Sequence, residues 1–349
     1  MERCSLRRLI LILPLILLLA CTPSDKKEQV PQPRDSSTVL RLYAPVEFRS
    51  SGLEKALIES FRKEHNCSVE IRLFDDLNLM IQAISAQPDS IDVVLGLPGC
   101  FALSDSLDGY FLPYSPPQQD ALARDIFSGA ALRLVPYGFS YLSVIYNSAL
   151  IQPPTSFGQL QDAMFLKQLA VLNPRYSGPG RATVHWIVSI FGDAGYSQML
   201  RALKKNVYRQ YNTHFEAISA LKTGEIALML GLSTWPGWQK EISEDSADLD
   251  FALFDEGSFR YTECMGIHEG SSNPALAGAF LDFMLQPAAQ KMVIYKLGLF
   301  PVNQKTLLPA ALSDVPLSPW LTNDKISEEN IRESSSTLLS AWERVMGHY

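Results

Sequence analysis

No motif of a known catalyst or metal site occurs in the 349 residues. There is no G-x-S-x-G nucleophile elbow, no G-x-x-x-x-G-K-[ST] phosphate loop, no HExxH and no CxxC. The glycine cluster Gly96-Leu-Pro-Gly99 lacks the G-x-G-x-x-G spacing of a dinucleotide fold. The five histidines (65, 185, 214, 268 and 348) are scattered, with no Cys/His spacing for zinc. These absences weigh against an enzyme and against a resident metal or cofactor. Positive charge is in deficit, with 30 Lys and Arg against 37 Asp and Glu, which argues against a nucleic-acid partner. Only one long apolar run exists, so the body of the chain does not read as membrane-spanning.

That one run is informative. Arg3, Arg7 and Arg8 precede Leu9–Leu19, which is apolar throughout with Pro14 inside it, and Leu18-Leu19-Ala20-Cys21 closes the segment. The run is shorter than the about 20 residues of a membrane helix and fits the h-region of a signal peptide. Ending at a cysteine, it resembles a bacterial lipoprotein signal, with Cys21 lipidated as the mature N-terminus. Removing residues 1–20 takes away three Arg and one Glu, leaving a net charge of −9. Thr22–Ser37 has three prolines, many charges and no aromatic residue. It reads as a flexible tether that cannot bury enough apolar surface to order itself.

The body is α/β in pattern. Thr38–Tyr43 and Cys67–Phe74 alternate as strands, Leu53–His65 and Asp76–Ala86 have helical spacing, and Ile91–Gly96 is a buried strand. Ala131–Asn147 is a long β-rich stretch interrupted by Pro136 and Gly138, and it is expected to cross from one lobe to another. Helices are expected at Ser156–Asp162, Thr183–Asp193, Gln198–Leu203, Phe215–Leu221, Ala275–Leu285, Ala288–Lys296 and Ser335–Met346. Glu225–Gly231 reads as a further buried strand, and Asp250–Glu256 with Tyr261–Ile267 as a returning strand pair. The expected organisation is a signal peptide over residues 1–20, a tether over 21–37, and a first lobe over 38–134. A second lobe then runs over 135–258, and 259–349 returns to the first lobe with C-terminal helices. In such a fold a ligand binds in the crevice at the strand ends.

The candidate ligand residues are aromatic and acidic. Trp235 and Trp238 flank Pro236-Gly237 directly after a strand, where partly exposed rings would suit a planar or cationic ligand, or would pack a lobe. Asn173–Gly180 precedes a helix, and its Ser/Gly turn would present backbone N–H groups to an anion, or is a capped helix start. Asp76, at a strand end, is either a carboxylate for a ligand amine or a helix N-cap. His214 could stack on a ligand or cap a helix. Cys67, Cys100 and Cys264 remain in the body, an odd number that fits one disulfide and a thiol, or three thiols.

Several segments resemble, in order, the periplasmic thiamine-binding proteins of ABC importers. They are Ile91–Leu97, Val135–Tyr146, Asn173–Gly180, Leu281–Pro287, Phe300–Val302 and Trp342–Arg344, and they span about residues 39–346. The resemblance implies a two-lobed periplasmic-binding-protein-like α/β fold, each lobe a mixed sheet flanked by helices, with the ligand cleft between them. It implies a monomeric receptor that binds thiamine or its phosphates without catalysis and docks on a permease of the inner membrane. Here that receptor would be lipid-anchored in the periplasm through Cys21. Carried over by position, Asp76 would face the ligand's polar edge, Ser177 and Gly178 its phosphate side, and Trp238 would stack on the thiazolium. His214 stands in place of an aromatic contact. Pro45, Leu232 and Gly298 stand where the family has aromatic rings, so the pyrimidine cage would be rebuilt from Tyr43, Phe48, Trp235 or Phe300. Of the family's CxC only Cys67 is present. The iron receptors of the wider family use adjacent tyrosines, and this chain has no Tyr-Tyr. A receptor for a polyamine or a metal ion is the alternative within binding, and a thiamine-degrading enzyme using Cys100 is the alternative outside it.

Overall fold

The computed structural model describes residues 38–86, 91–99, 107–127, 132–243, 248–317 and 320–347. The leader, the tether, Cys21 and Cys100 lie outside the described residues.

A mixed sheet organises the body. Its strands are β1 (Val39–Pro45), β2 (Ser68–Phe74), β3 (Val93–Pro98), β4 (Val135–Asn147) and β5 (Leu169–Leu172). They continue as β6 (Val207–Tyr211), β7 (Leu228–Leu232), β8 (Leu249–Ala252), β9 (Arg260–Ile267) and β10 (Phe300–Pro301). The order is β2-β1-β3-β9-β4-β7-β5-β6, with β8 and β10 also paired to β4. β1 runs parallel to β2 and β3, and β5 parallel to β6 and β7. β4 and β9 run antiparallel to their neighbours and join these two parallel groups.

β4 is the shared strand. Its first half, Val135–Tyr141, pairs with β9, and its second half, Leu142–Tyr146, pairs with β7. A register shift at Pro136–Gly138 marks the first half, where Pro136 has no N–H to give the ladder. The long β-rich stretch expected here is this strand, Val135–Asn147. The expected pairing of the two returning strands is not found, since β8 and β9 each pair with β4 and not with each other.

The helices follow the apolar periodicity closely at Leu53–His65, Leu77–Ala86, His214–Lys222, Pro274–Met284 and Pro287–Leu297. Buried Leu53, Leu57, Ile58 and Phe61 form the inner face of the first. The expected helix at Ser156–Asp162 is instead a pair of 3₁₀ turns, Gln159–Gln161 and Ala163–Phe165, separated by an extended Asp162. Thr183–Asp193 and Gln198–Leu203 belong to one longer element, Gly178–Lys204, broken where Gly192 turns to φ 67°. The C-terminal helix is also longer than expected, Glu328–Met346. Cys67 and Cys264 are both buried thiols, not joined to each other. Among the described residues no helix is long and apolar enough to cross a membrane.

Candidate ligand-binding site

Strand ends and helix starts from both groups of strands meet at one cavity. Pro45 closes β1, Gly96 lies in β3 and Leu232 closes β7, while Ser177, His214 and Trp235 stand at helix starts. Tyr261 and Glu263 reach it from β9. Its volume is about 50 Å³, room for a few waters. A pocket that surrounds a small organic ligand needs roughly 300 Å³ or more, so the walls must part to admit one.

Two carboxylates line this cavity, those of Glu47 and Glu263. None of the lining residues is Lys or Arg, and neither carboxylate has an ion-pair partner among the described residues. Burial pushes the Glu263 carboxyl up to about 7, against the hydrogen bond that the Tyr137 phenol donates to it, and the Glu47 charge pushes it further up. Burial likewise pushes Glu47 up to about 6. Desolvation without a counter-charge is the shared physical cause. A cation entering here would meet two acceptors that the protein leaves electrically unanswered.

One wall is aromatic. Trp235 starts the helix Trp235–Ile242, where Pro236 supplies a preset φ in the first turn. The His214 ring stacks on it at 4.7 Å and 18°. Neither Trp235 Nε1 nor His214 Nε2 has a hydrogen-bond partner, although both atoms are buried. Burial pulls the His214 imidazole down to about 4, so it is neutral at pH 7 and adds no positive charge. The expectation of partly exposed Trp rings is corrected, because Trp235 and Trp238 are each only 2% exposed. Trp238 lies behind the wall and donates its Nε1–H to the Tyr295 carbonyl at 3.0 Å. Gly298 explains the packing: a Cβ there would come within 2.8 Å of the Trp238 ring and 3.0 Å of Trp235. The space that a side chain at position 298 would fill is taken by these two indoles.

Ser177 and Gly178 do line the cavity. Ser177 caps the helix Gly178–Lys204, its Oγ accepting from Gly180 N–H at 3.2 Å. Gly178 sits so close to its neighbours that a Cβ would reach 2.6 Å from Tyr261 Oη. Asp76 and Tyr43 are placed elsewhere. Asp76 caps the helix Leu77–Ala86, accepting from Asn78 N–H at 2.8 Å, and its other oxygen takes Arg175 Nε at 2.5 Å. Leu77 N–H donates to the Arg175 carbonyl, and Arg181 Nη2 to Asn78 Oδ1 at 2.7 Å. These contacts fasten the loop before Gly178 to the start of the helix Leu77–Ala86, on the cavity's rim. Tyr43 packs on Phe74 in a small core and accepts from Arg72 Nη1. Phe48 and Phe300 are buried in the main core. Of the four residues expected to rebuild the cage, only Trp235 lines this cavity.

The sequence profile of the bacterial extracellular solute-binding protein family matches residues 101–329. The chain belongs to this family. It is therefore a binding protein and not an enzyme. The thiamine-binding periplasmic protein of Escherichia coli (strain K12) is 26% identical over 344 residues, covering 96% of this chain and 98% of that one. A solved periplasmic thiamin binding protein superposes with a TM-score of 0.77 at 24% identity, over 89% of this chain and 96% of that one. Iron-bound HitA from Pseudomonas aeruginosa superposes at 0.70 with 20% identity, over 88% and 99%. Receptors whose names carry different ligands thus share this periplasmic-binding-protein fold, so the ligand must be argued from the site.

Sequence reasoning did not find Glu47, Glu263 or Tyr261. A signal was present for Glu263, a lone acid in the otherwise largely uncharged segment Tyr261–Ile267, since buried carboxylates are rare. Glu47 carried no such signal, because it opens the four-residue helix Glu47–Ser50, where an acid in the first turn is commonplace.

Proposed function

We propose that this chain is the thiamine receptor of an ABC importer, a periplasmic lipoprotein anchored through Cys21 that hands its ligand to an inner-membrane permease. The observation that carries the ligand is the cavity's charge. Two unpaired carboxylates and a stacked indole–imidazole wall, with no cationic side chain, match a flat molecule bearing a permanent positive charge. Thiamine joins a thiazolium cation to a planar aminopyrimidine. An indole face beside a cation contributes about 0.5–2 kcal/mol, while nanomolar binding needs about 12 kcal/mol in all. Ring burial and the carboxylates must supply the larger part.

Supporting the reading are the thiamine-binding name of the Escherichia coli relative and the strand-end location of the cavity. We place the lobes at 38–134 with 259–349 and at 135–258, hinged where β4 changes partners. Ligand entry then requires the Asp76–Arg175 and Asn78–Arg181 contacts to part and re-form. Ser177, Gly178, His214 and Trp235 line the site, Trp238 supports its wall, and Asp76 acts at its rim; Tyr43 takes no part.

A polyamine would satisfy the carboxylates but not the flat aromatic wall. Titrating the full chain in detergent with thiamine, and separately with spermidine, while following tryptophan fluorescence distinguishes them. Saturable one-to-one quenching by thiamine and none by spermidine is expected. The reverse pattern would overturn the thiamine reading.

A further inference from the structure

The strand that carries Glu263 has a bulge on either side of it, and one of them aims a residue that stands outside the cavity wall. We infer, resting on the thiamine reading above, that Tyr137 is a positioning residue of the cation site: bulged out of the β4 ladder, it turns its phenol onto Glu263 and holds that carboxylate, ionised, towards the ligand.

In the β4–β9 ladder Pro136 pairs with Cys264 and Gly138 with Glu263, so Tyr137 is the one extra residue between two adjacent partners. Residues paired across a ladder share a face, and their chain neighbours take the other. A bulge breaks that alternation and re-aims a side chain, commonly beside a functional site. Here it brings the Tyr137 phenol to the Glu263 carboxyl, to which it donates. On the other side of β9, Leu95 pairs with Met265 and Leu97 with Cys264, which leaves Gly96 as the extra residue of β3. Gly96 takes φ 80°, and a Cβ on it would stand 2.5 Å from Pro45 Cδ and 3.5 Å from Glu263 Oε1. Only glycine lets the backbone come this close to the acid at that φ.

The Tyr137 bulge is pinned from behind. Its carbonyl accepts from Gln290 Nε2 at 2.8 Å, the same amide donates to the Met284 carbonyl at 2.9 Å, and Gln290 Oε1 accepts from Val302 N–H at 2.7 Å. Gln290 is fully buried, so these bonds are shielded from water and costly to lose. Tyr137 is 1% exposed and does not line the cavity. It can act on a ligand only through Glu263. The titratable groups facing Glu263 are Tyr137 from β4 and Glu47 from the helix Glu47–Ser50. β3 brings Gly96 and Pro98, which do not titrate. Tyr261 and Cys264, from the strand of Glu263 itself, act on the Tyr137 phenol, and His214 and Tyr176 line the same cavity. Glu47 favours the protonated form of Glu263 and the phenol favours the ionised form. Burial, and then the Glu263 charge, push the phenol well above its usual range, so it remains a donor throughout.

Tyr137→Phe keeps the buried ring and removes only the hydroxyl. The test is calorimetric titration of thiamine into the full chain in detergent, stripped of ligand by unfolding and refolding, at a series of pH values in two buffers of different ionisation enthalpy. The difference between buffers reads the protons released on binding. In the wild type release should be greatest near pH 7, where the ligand-free Glu263 carboxyl titrates. In Tyr137→Phe the maximum should move up by about one pH unit, with an affinity loss at pH 7 that fades as the pH rises. Thiamine binding without proton release, a maximum that does not move in the variant, or an affinity loss of the same size at every pH would each overturn the positioning role and leave the thiamine reading standing. If thiamine does not bind the wild type, that reading is overturned and the inference falls with it. Should Tyr137→Phe fail to fold, 3-fluorotyrosine at position 137 decides: its stronger donor should move the maximum down, and an unmoved maximum contradicts the inference.

Discussion

Asp76 and Glu263 are both carboxylates beside the same cleft, yet they are opposite cases. Asp76 is 4% exposed and fully answered, with Arg175 on one oxygen and the first turn of a helix on the other. Glu263 is answered only by a neutral phenol and faces a second acid across a cavity with no lining cation. A buried charge that carries its own counter-charge holds structure together, whereas one left without a counter-charge is costly to keep. On the proposed reading, the contrast puts Asp76 at the rim and its closure, and Glu47 with Glu263 against the ligand.

The largest effect that sharpens this contrast should come from the wall both acids face. Trp235→Ala removes a buried indole that also packs against Gly298, at about 3–5 kcal/mol of stability, and should abolish measurable thiamine binding. Chemical denaturation and titration of the same sample read both losses. Glu263→Gln comes next, with thiamine affinity falling about 10- to 100-fold, or 1.4–2.8 kcal/mol, and ligand-free stability moving the other way. The folded carboxyl titrates near 7 against a usual 4.5. The stability its proton supports is therefore present below about pH 4.5 and lost as pH rises through about 7. At pH 8 the variant should be on the order of 2 kcal/mol more stable than wild type, and near pH 4.5 no more stable. Thermal melts at the two pH values check the sign.

Smaller effects are expected at the rim. Asp76→Asn keeps a capping oxygen but loses the ion pair, and should cost about 1–2 kcal/mol of stability with less than a threefold change in thiamine affinity. If Asp76→Asn cost more affinity than Glu263→Gln, the assignment of rim and cavity would be reversed. Lowering the pH from 7 to 5.5 should likewise weaken thiamine by no more than about threefold in the wild type, because Glu263 and then Glu47 take up protons. The double variant Glu47→Gln with Glu263→Gln should lack that dependence. His214, depressed to about 4, stays neutral throughout that window.

Much of the fold was legible because the signals are local. Leu53–His65 has a helical apolar face, and every residue of β3 is buried, as its continuous apolar run implies. Ser177, Gly178, His214 and Trp235 were legible as helix starts after strands, the places where a doubly wound fold puts its ligands. What sequence could not show was pairing across distance. Asp76 read equally as a ligand carboxylate or a helix N-cap; the cap is local, but its ion pair with Arg175, 99 residues away, is not. The missing aromatics at Pro45, Leu232 and Gly298 suggested a cage rebuilt from Tyr43, Phe48, Trp235 or Phe300, of which Trp235 lines the cavity and the other three do not. Those three rings are held in cores by contacts such as Tyr43–Phe74 and Phe139–Phe300, which no local pattern encodes. Ser156–Asp162 failed as a helix because Asp162 adopts an extended conformation between two short turns.

The most direct test of the central claim, that an unanswered acid pair receives a cation, is proton release on binding. Thiamine would be titrated calorimetrically into the full chain at pH 7 in two buffers that differ strongly in ionisation enthalpy, such as phosphate and Tris. A cation beside Glu263 should lower its pKa and expel part of a proton, so the heat should differ between buffers and the difference should vanish in Glu263→Gln. Saturable binding with the same heat in both buffers would show that the cation sits away from the pair, and would contradict the account.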